Sequence, residues 1–222
     1  AVRCGGSSPL LGTMSDNQRL SAIGFGVAII IFITLIQYFL KEKSPKVIPM
    51  PQKVVYDYIP QFVLLSFDGS KSISMWKNTR AFAQEMQASS TPVHFTYFIN
   101  PVYLLTKENG TLYQGPRHLP GQTPIGFSDS ERDINERINQ INFAITEGHE
   151  IGSHAVGHFD GASWTYEEWK QEFDMFNTIL FRNPSLNLIQ KDIIGFRAPE
   201  LSINDNAYKL LSERGFRYDA SG

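Results

Sequence analysis

An α/β fold built on a parallel sheet is predicted by three observations. Apolar runs of strand length alternate with helical apolar spacing five times between Phe62 and Gly222. The first run, Phe62-Val63-Leu64-Leu65-Ser66-Phe67, is almost continuously apolar, as suits a strand buried on both faces. A glycine-rich stretch holding three of the five histidines, Gly148 to Gly161, follows the third run, at the strand's carboxyl end where α/β folds collect their sites. The alternation leaves two windings open, a barrel or an open doubly wound sheet.

Taken in order, residues 1–19 read as a leader ahead of Met14 and a short N-terminal segment. Residues 20–40 carry no charge, and as a helix they extend about 31 Å, enough to cross a bilayer. The stretch is longer than the apolar part of a cleaved signal peptide and no small-x-small cleavage site follows, so an uncleaved transmembrane signal anchor is expected. Residues 41–60 contain Pro45, Pro49, Pro51 and Pro60 among lysines and valines, the composition of a semi-rigid tether. Residues 61–222 are the globular part.

Within it, Ile73 to Ala88 has helical spacing through Trp76, Ala83 and Met86, and Val93 to Ile99 is the second strand. The Pro/Gly-rich connection from Asn100 to Ser128 is too long for a simple turn and is expected to cover the site or to be mobile. A helix starts near Ser130, with Asp133 in the capping-box position, and runs to Gly148. His149 to Ser153 is the third strand. Thr165 with Glu168 opens a helix through Trp169, Phe173 and Phe176; Asp192 to Arg197 is the fourth strand; Asp205 to Arg214 is a helix stopped by Gly215; Phe216 to Ser221 is the fifth strand. The stretch is shorter than the roughly 250 residues of an eight-unit barrel, so the last strands are expected beyond Gly222.

Twenty basic against 22 acidic residues give no basic surplus, which sets nucleic acid aside as a partner. Cys4 is the single cysteine, so an internal disulfide and a thiolate metal site are both excluded.

If the strands are parallel, their carboxyl ends share one rim, and Asp68, His154, His158, Arg197 and Asp219 all fall there. His154 and His158 are four apart, so a helical turn or a tight loop would aim both imidazoles at one divalent ion. The glycines at 148, 152, 157 and 161 would keep that loop permissive and uncrowded. A rim carboxylate can then take a proton from water at the ion, and an arginine can hold that carboxylate ionised and oriented.

Ser66-Phe67-Asp68-Gly69, the run from Gly148 to His158, Gly195-Phe196-Arg197-Ala198-Pro199 and Gly215 to Ser221 resemble, in order and spacing, the motifs of the polysaccharide deacetylase (NodB-homology) family. The resemblance implies a distorted (β/α)7-type barrel, C-terminally incomplete here, and metal-dependent removal of acetyl groups from a glycan. It implies that His154 and His158 are metal ligands, zinc being the expected ion with cobalt as an alternative, and that Arg197 orients the catalytic carboxylate. Family members usually carry two adjacent aspartates in the first motif, a general base followed by a ligand, whereas this chain has Asp68 alone. Aligned without a gap on Phe67, Asp68 is the base, and Asp160 or water completes the coordination; aligned on Gly69, it is the ligand. Ala155 stands where Ser or Thr is usual, Glu200 where an aromatic often follows, and the family's late histidine, its general acid, would lie beyond Gly222.

The expected protein is a single-pass membrane deacetylase whose partner is an acetylated cell-wall or capsular glycan. Relatives on small cyclic amides or formyl groups, and a non-catalytic glycan binder, are the alternatives. Lys41, Lys43 and Lys46 after the span, against Arg19 before it, favour a cytoplasmic domain, whereas a polymer substrate outside the cell favours the extracytoplasmic face. The second is the orientation expected here.

Overall fold

Five parallel strands lie side by side in chain order, β1 (Ser66–Gly69), β2 (Thr96–Ile99), β3 (Glu150–Ser153), β4 (Gly195–Phe196) and β5 (Tyr218–Asp219). The computed structural model describes residues 61–222. A sheet that never reverses its strand order is wound in one direction. The doubly wound alternative requires a reversal, and none occurs among the described strands. The leader, the anchor and the tether fall outside the described residues; among the described residues no helix is long and apolar enough to cross a membrane.

The crossover helices are α1 (Ile73–Ala88), α2 (Glu131–Thr146), α3 (Tyr166–Leu180) and α4 (Asp205–Glu213). Their ends follow the local chemistry that the sequence announces. Ser130 Oγ accepts from Asp133 N, and Thr165 forms a complete capping box with Glu168, so orphan N–H groups at both helix starts are met. At the end of α2, His149 N bonds Ala144 O and Gly148 N bonds Ile145 O around a left-handed Gly148, φ +84°, which turns the chain directly into β3. Trp76, Tyr97, Ile138, Ile141, Ile151 and Phe176 belong to the main core, and Trp164, Trp169, Phe173, Phe196 and Leu210 to a second one beside β4. Fully buried Phe196 and Leu180 each contribute about 1.5–3 kcal/mol relative to exposure.

The first strand departs from expectation. Phe62, Val63, Leu64 and Leu65 are all exposed, Leu64 at 93%; Leu65 O accepts from Thr96 N and the ladder begins at Ser66. These four residues run ahead of the ladder that β1 shares with β2, its one neighbour among the described strands. The fourth strand is also shorter than expected, because Gln190–Asp192 is a 3₁₀ turn and ladder pairing is confined to Gly195–Phe196.

The connection between β2 and α2 is packed rather than mobile. Val102, Leu105 and Tyr113 are buried in it, and Ser128 N bonds Leu105 O at 2.9 Å, closing it on itself. Arg137, buried on α2, donates to the carbonyls of Ser70, Lys71 and Tyr103 and to Ser128 Oγ, tying the β1–α1 turn to both ends of the connection. A buried guanidinium needs that many acceptors to offset its desolvation.

Candidate active site

Asp68, His154 and Arg197 come together at the carboxyl ends of β1, β3 and β4, as the parallel register requires. Asp68 faces solvent on the last turn of β1, with 43% of its side chain accessible. Arg197 follows β4 and donates through Nη1 to Asp68 Oδ1 at 2.9 Å and through Nε to Ala220 O at 3.0 Å. Its guanidinium lies 4.7 Å from the centre of the Phe98 ring on β2, a cation–π contact that sets the plane of the fork.

His154 is buried, and its Nδ1 lies 2.8 Å from Arg197 O. A carbonyl only accepts, so Nδ1 carries the proton and Nε2 keeps its lone pair. Burial pushes the His154 pKa down, against the opposing effects of the Arg197 carbonyl and the Asp68 charge, which favours the neutral, ligating form. The His158 ring stands 5.1 Å from that of His154, centre to centre, and inclined by 72°. The two imidazoles are thus neighbours, with a nitrogen lone pair free on the buried one, a donor set that fits a divalent ion. Among the described residues no group of three or more His, Cys, Asp or Glu side chains is gathered for a metal. Asp160, offered as a substitute ligand, instead accepts Ala162 N at 2.9 Å in a local turn and stays exposed. One of its carboxylate oxygens is taken by the chain two residues on, which is the ordinary use of Asp in a loop. Asp219 is likewise structural: it accepts from Ser221 N and Oγ, and Ser221 Oγ accepts Ala198 N, pinning the turn after Arg197.

The loop between the two histidines is not helical, and its glycines act differently from the expectation. Left-handed backbone falls on Ala155, φ 52°, and on His158, φ 60°, not on Gly157 between them. Gly152, Gly157 and Gly161 are there for contact. A Cβ at Gly157 would lie 2.2 Å from Tyr113 Oη, one at Gly161 2.3 Å from the Trp169 ring, and one at Gly152 2.6 Å from Phe98. The surroundings are crowded, and absent side chains let the loop sit flush on aromatic neighbours.

Sequence reasoning missed the groups that hold this loop. Glu172 on α3 is fully buried and accepts from Val156 N and Gly157 N. Asn100, at the end of β2, donates through Nδ2 to His154 O. Asn204 holds the chain that follows the loop, binding the carbonyls of Ala162 and Trp164 and accepting from Trp169 Nε1. For Glu172 a signal existed: position 172 shares the helical face of Trp169, Phe173 and Phe176, so a charged residue stands on an apolar stripe. His149, the third histidine of the stretch, belongs to the opposite end of β3. Its Nδ1 accepts Phe95 N at 3.1 Å, so its neutral ring carries the proton on Nε2 and offers no lone pair.

A family model described as polysaccharide deacetylase matches residues 60–218. No curated protein sequence matches. Among solved structures the chain is similar to the chitin deacetylase of the fungal pathogen Colletotrichum lindemuthianum, at 16% identity over 71% of this chain and 54% of that one, with TM-score 0.45. It is similar to a family 4 carbohydrate esterase from Streptomyces lividans in complex with acetate, at 12% identity over 72% and 61%, TM-score 0.44. A CE4 family pseudoenzyme from Bacillus anthracis is similar at 11% identity over 70% and 42%, TM-score 0.42. The chain spans about half the length of these structures. With the model covering most of it, the chain belongs to the polysaccharide deacetylase family.

Proposed function

We propose that this protein is a membrane-anchored, metal-dependent deacetylase of an acetylated cell-wall or capsular glycan, its catalytic domain on the extracytoplasmic side. The observation that carries the reading is the Arg197–Asp68 pair on the rim that also bears the two histidines. We take the described sheet as part of the wall of a distorted (β/α)7 barrel, which its unreversed strand order supports. The uncharged stretch 20–40 and the proline-rich segment behind it support the anchor and the tether.

In this reading His154 Nε2 and His158 hold the ion, zinc or alternatively cobalt. When bound, such an ion supplies Lewis acidity towards the acetyl carbonyl and towards water. The chain's own groups do the rest. Arg197, locked by Ala220 O and the Phe98 ring, fixes the direction of the Asp68 carboxylate. Asp68, open to solvent, takes the proton of the attacking water. The His154 Nδ1–H bond to Arg197 O couples the ligand's orientation to the same arginine, so base and ligand share one support.

Acetate release from acetylated chitooligosaccharide or peptidoglycan by the full-length protein tests the reading. It should be lost with a chelator and restored by zinc or cobalt; absence of metal-dependent release from any acetylated glycan overturns it. A second reading, a glycan-binding relative without catalysis, is favoured by the lone Asp68 and by the lack of a third gathered ligand among the described residues. Glycan binding retained with no zinc or cobalt binding would select it.

A further inference from the structure

The mechanism makes no use of Glu172, yet it is the most deeply placed carboxyl in the described residues. Its accessible surface is 0%, and burial pushes its pKa up. A carboxyl group is costly to bury without partners. Every partner it has lies outside its own helix. Val156 N and Gly157 N donate to Oε1 at 2.8 and 3.1 Å, and Tyr113 Oη lies 3.1 and 2.9 Å from the two carboxyl oxygens. Val156 and Gly157 are central residues of the segment that joins His154 to His158.

That segment has little means of holding its own shape. Position 155 is alanine, so no hydroxyl at that point can bond the neighbouring backbone. Ala155 and His158 both sit in left-handed backbone, a conformation that non-glycine residues keep only when the surroundings impose it. Asn100 Nδ2 grips His154 O from the β2 side, and Tyr113 Oη lies against Gly157, where even a Cβ would not fit. Two adjacent N–H groups drawn onto one oxygen fix the peptide planes between the imidazoles, and with them the directions of both Cα–Cβ bonds.

We propose that Glu172 is a positioning residue: its carboxyl group, clamped by Tyr113, sets the backbone of the His154–His158 loop and so the convergence of the two imidazoles. The metal part of this inference rests on the function proposed above, and the backbone part does not.

The test uses the full-length protein. Glu172→Gln keeps a carbonyl for the two N–H groups and can donate its amide to Tyr113 Oη. Glu172→Leu keeps the volume and removes the acceptors. Glu172→Asp draws the carboxyl back by one methylene. Zinc affinity is read by competition with a chromophoric chelator, ligand geometry by the visible absorption of the cobalt-loaded protein, and folding by circular dichroism and thermal midpoint. Glu172→Gln should bind zinc as the wild type does. Glu172→Leu should bind about 10- to 100-fold more weakly, with an altered cobalt spectrum. A folded Glu172→Leu protein with wild-type zinc affinity and cobalt spectrum overturns the proposal. Where that variant does not fold, Glu172→Asp carries the same expectation and the same power to refute. If the wild type itself binds no metal, the metal reading fails, and amide exchange decides the backbone claim. Val156 and Gly157 should be protected in the wild type and lose protection in Glu172→Asp, whereas equal protection refutes it.

Discussion

Arg197 Nη1 meets Asp68 Oδ1 at 2.9 Å although the two residues are 129 positions apart and two strands separate β1 from β4. The same guanidinium bonds Ala220 O and rests on Phe98, three fixed relationships that a flexible ammonium cannot reproduce. Arg197→Lys is therefore expected to lower kcat about 10- to 100-fold with zinc affinity little changed. Initial rates of acetate release and a zinc titration read the two quantities, and an unchanged kcat would remove Arg197 from the machinery.

Asp68→Asn separates base from ligand. As base, its replacement leaves zinc affinity intact while the rate falls on the order of 10² to 10⁴. As ligand, affinity falls as well and excess metal returns part of the rate. The expected outcome is the first, since Asp68 is engaged by Arg197 and is not gathered with the histidines into a three-ligand group. A large loss of zinc affinity in the titration would make it a ligand.

The two histidines should differ on removal. His154→Ala and His158→Ala are each expected to abolish zinc binding and activity. Only His154 is buried and bonded to a backbone carbonyl, so His154→Ala should also cost about 1–3 kcal/mol of stability in the metal-free protein, and His158→Ala much less. Urea unfolding in the presence of chelator measures the contrast; equal losses would contradict it.

Gly157→Ala is expected to destabilise by about 1–3 kcal/mol, because the new Cβ would lie 2.2 Å from the hydroxyl of a fully buried Tyr113. A wild-type thermal midpoint in this variant would show that Tyr113 can retreat.

A further expectation concerns acid. The Arg117 guanidinium grips Glu168 at the start of α3 and is the largest cause holding its carboxyl down to about 2 from 4.5. A depressed carboxylate stabilises above its unfolded pKa and loses that contribution as pH falls, here between about 4.5 and 2. Half of the Arg117 side chain is exposed, so solvent screens the pair and the contribution is small. The urea midpoints of wild type and Arg117→Met should differ at pH 6, draw together as pH falls below about 4.5 and converge only below about pH 2; a gap that persists there would refute the assignment.

The helices were legible because caps and apolar periods are local. Ser130, Thr165 and Gly148 mark boundaries through bonds within four or five residues of themselves. Asp68, His154, His158 and Arg197 were legible because parallel strands send their carboxyl ends to one rim. Strand limits were not legible at β1 and β4, since an apolar run does not encode how many of its residues will find a neighbour. Glu172, Asn100 and Arg137 escaped notice for a related reason. Each is polar, buried and bonded to backbone far along the chain, and a polar letter alone does not reveal that. The glycines of the histidine stretch suggest freedom of φ, whereas most of them answer to aromatic rings that arrive from other elements.

In residues 61–222 taken alone, the outward edge of β1 has a colloidal consequence. Main-chain groups of Ser66–Gly69 pair with β2 on one side, and Phe62 to Leu65 continue the line with bare apolar side chains. Such an edge is a template for strand addition between molecules, which charge on its outward residues suppresses. Purified residues 61–222 should scatter light in a concentration-dependent way on warming, with onset below the loss of helix signal. Leu64→Lys, at a position 93% exposed, should delay that onset without moving the thermal midpoint, separating adhesiveness from stability in this fold.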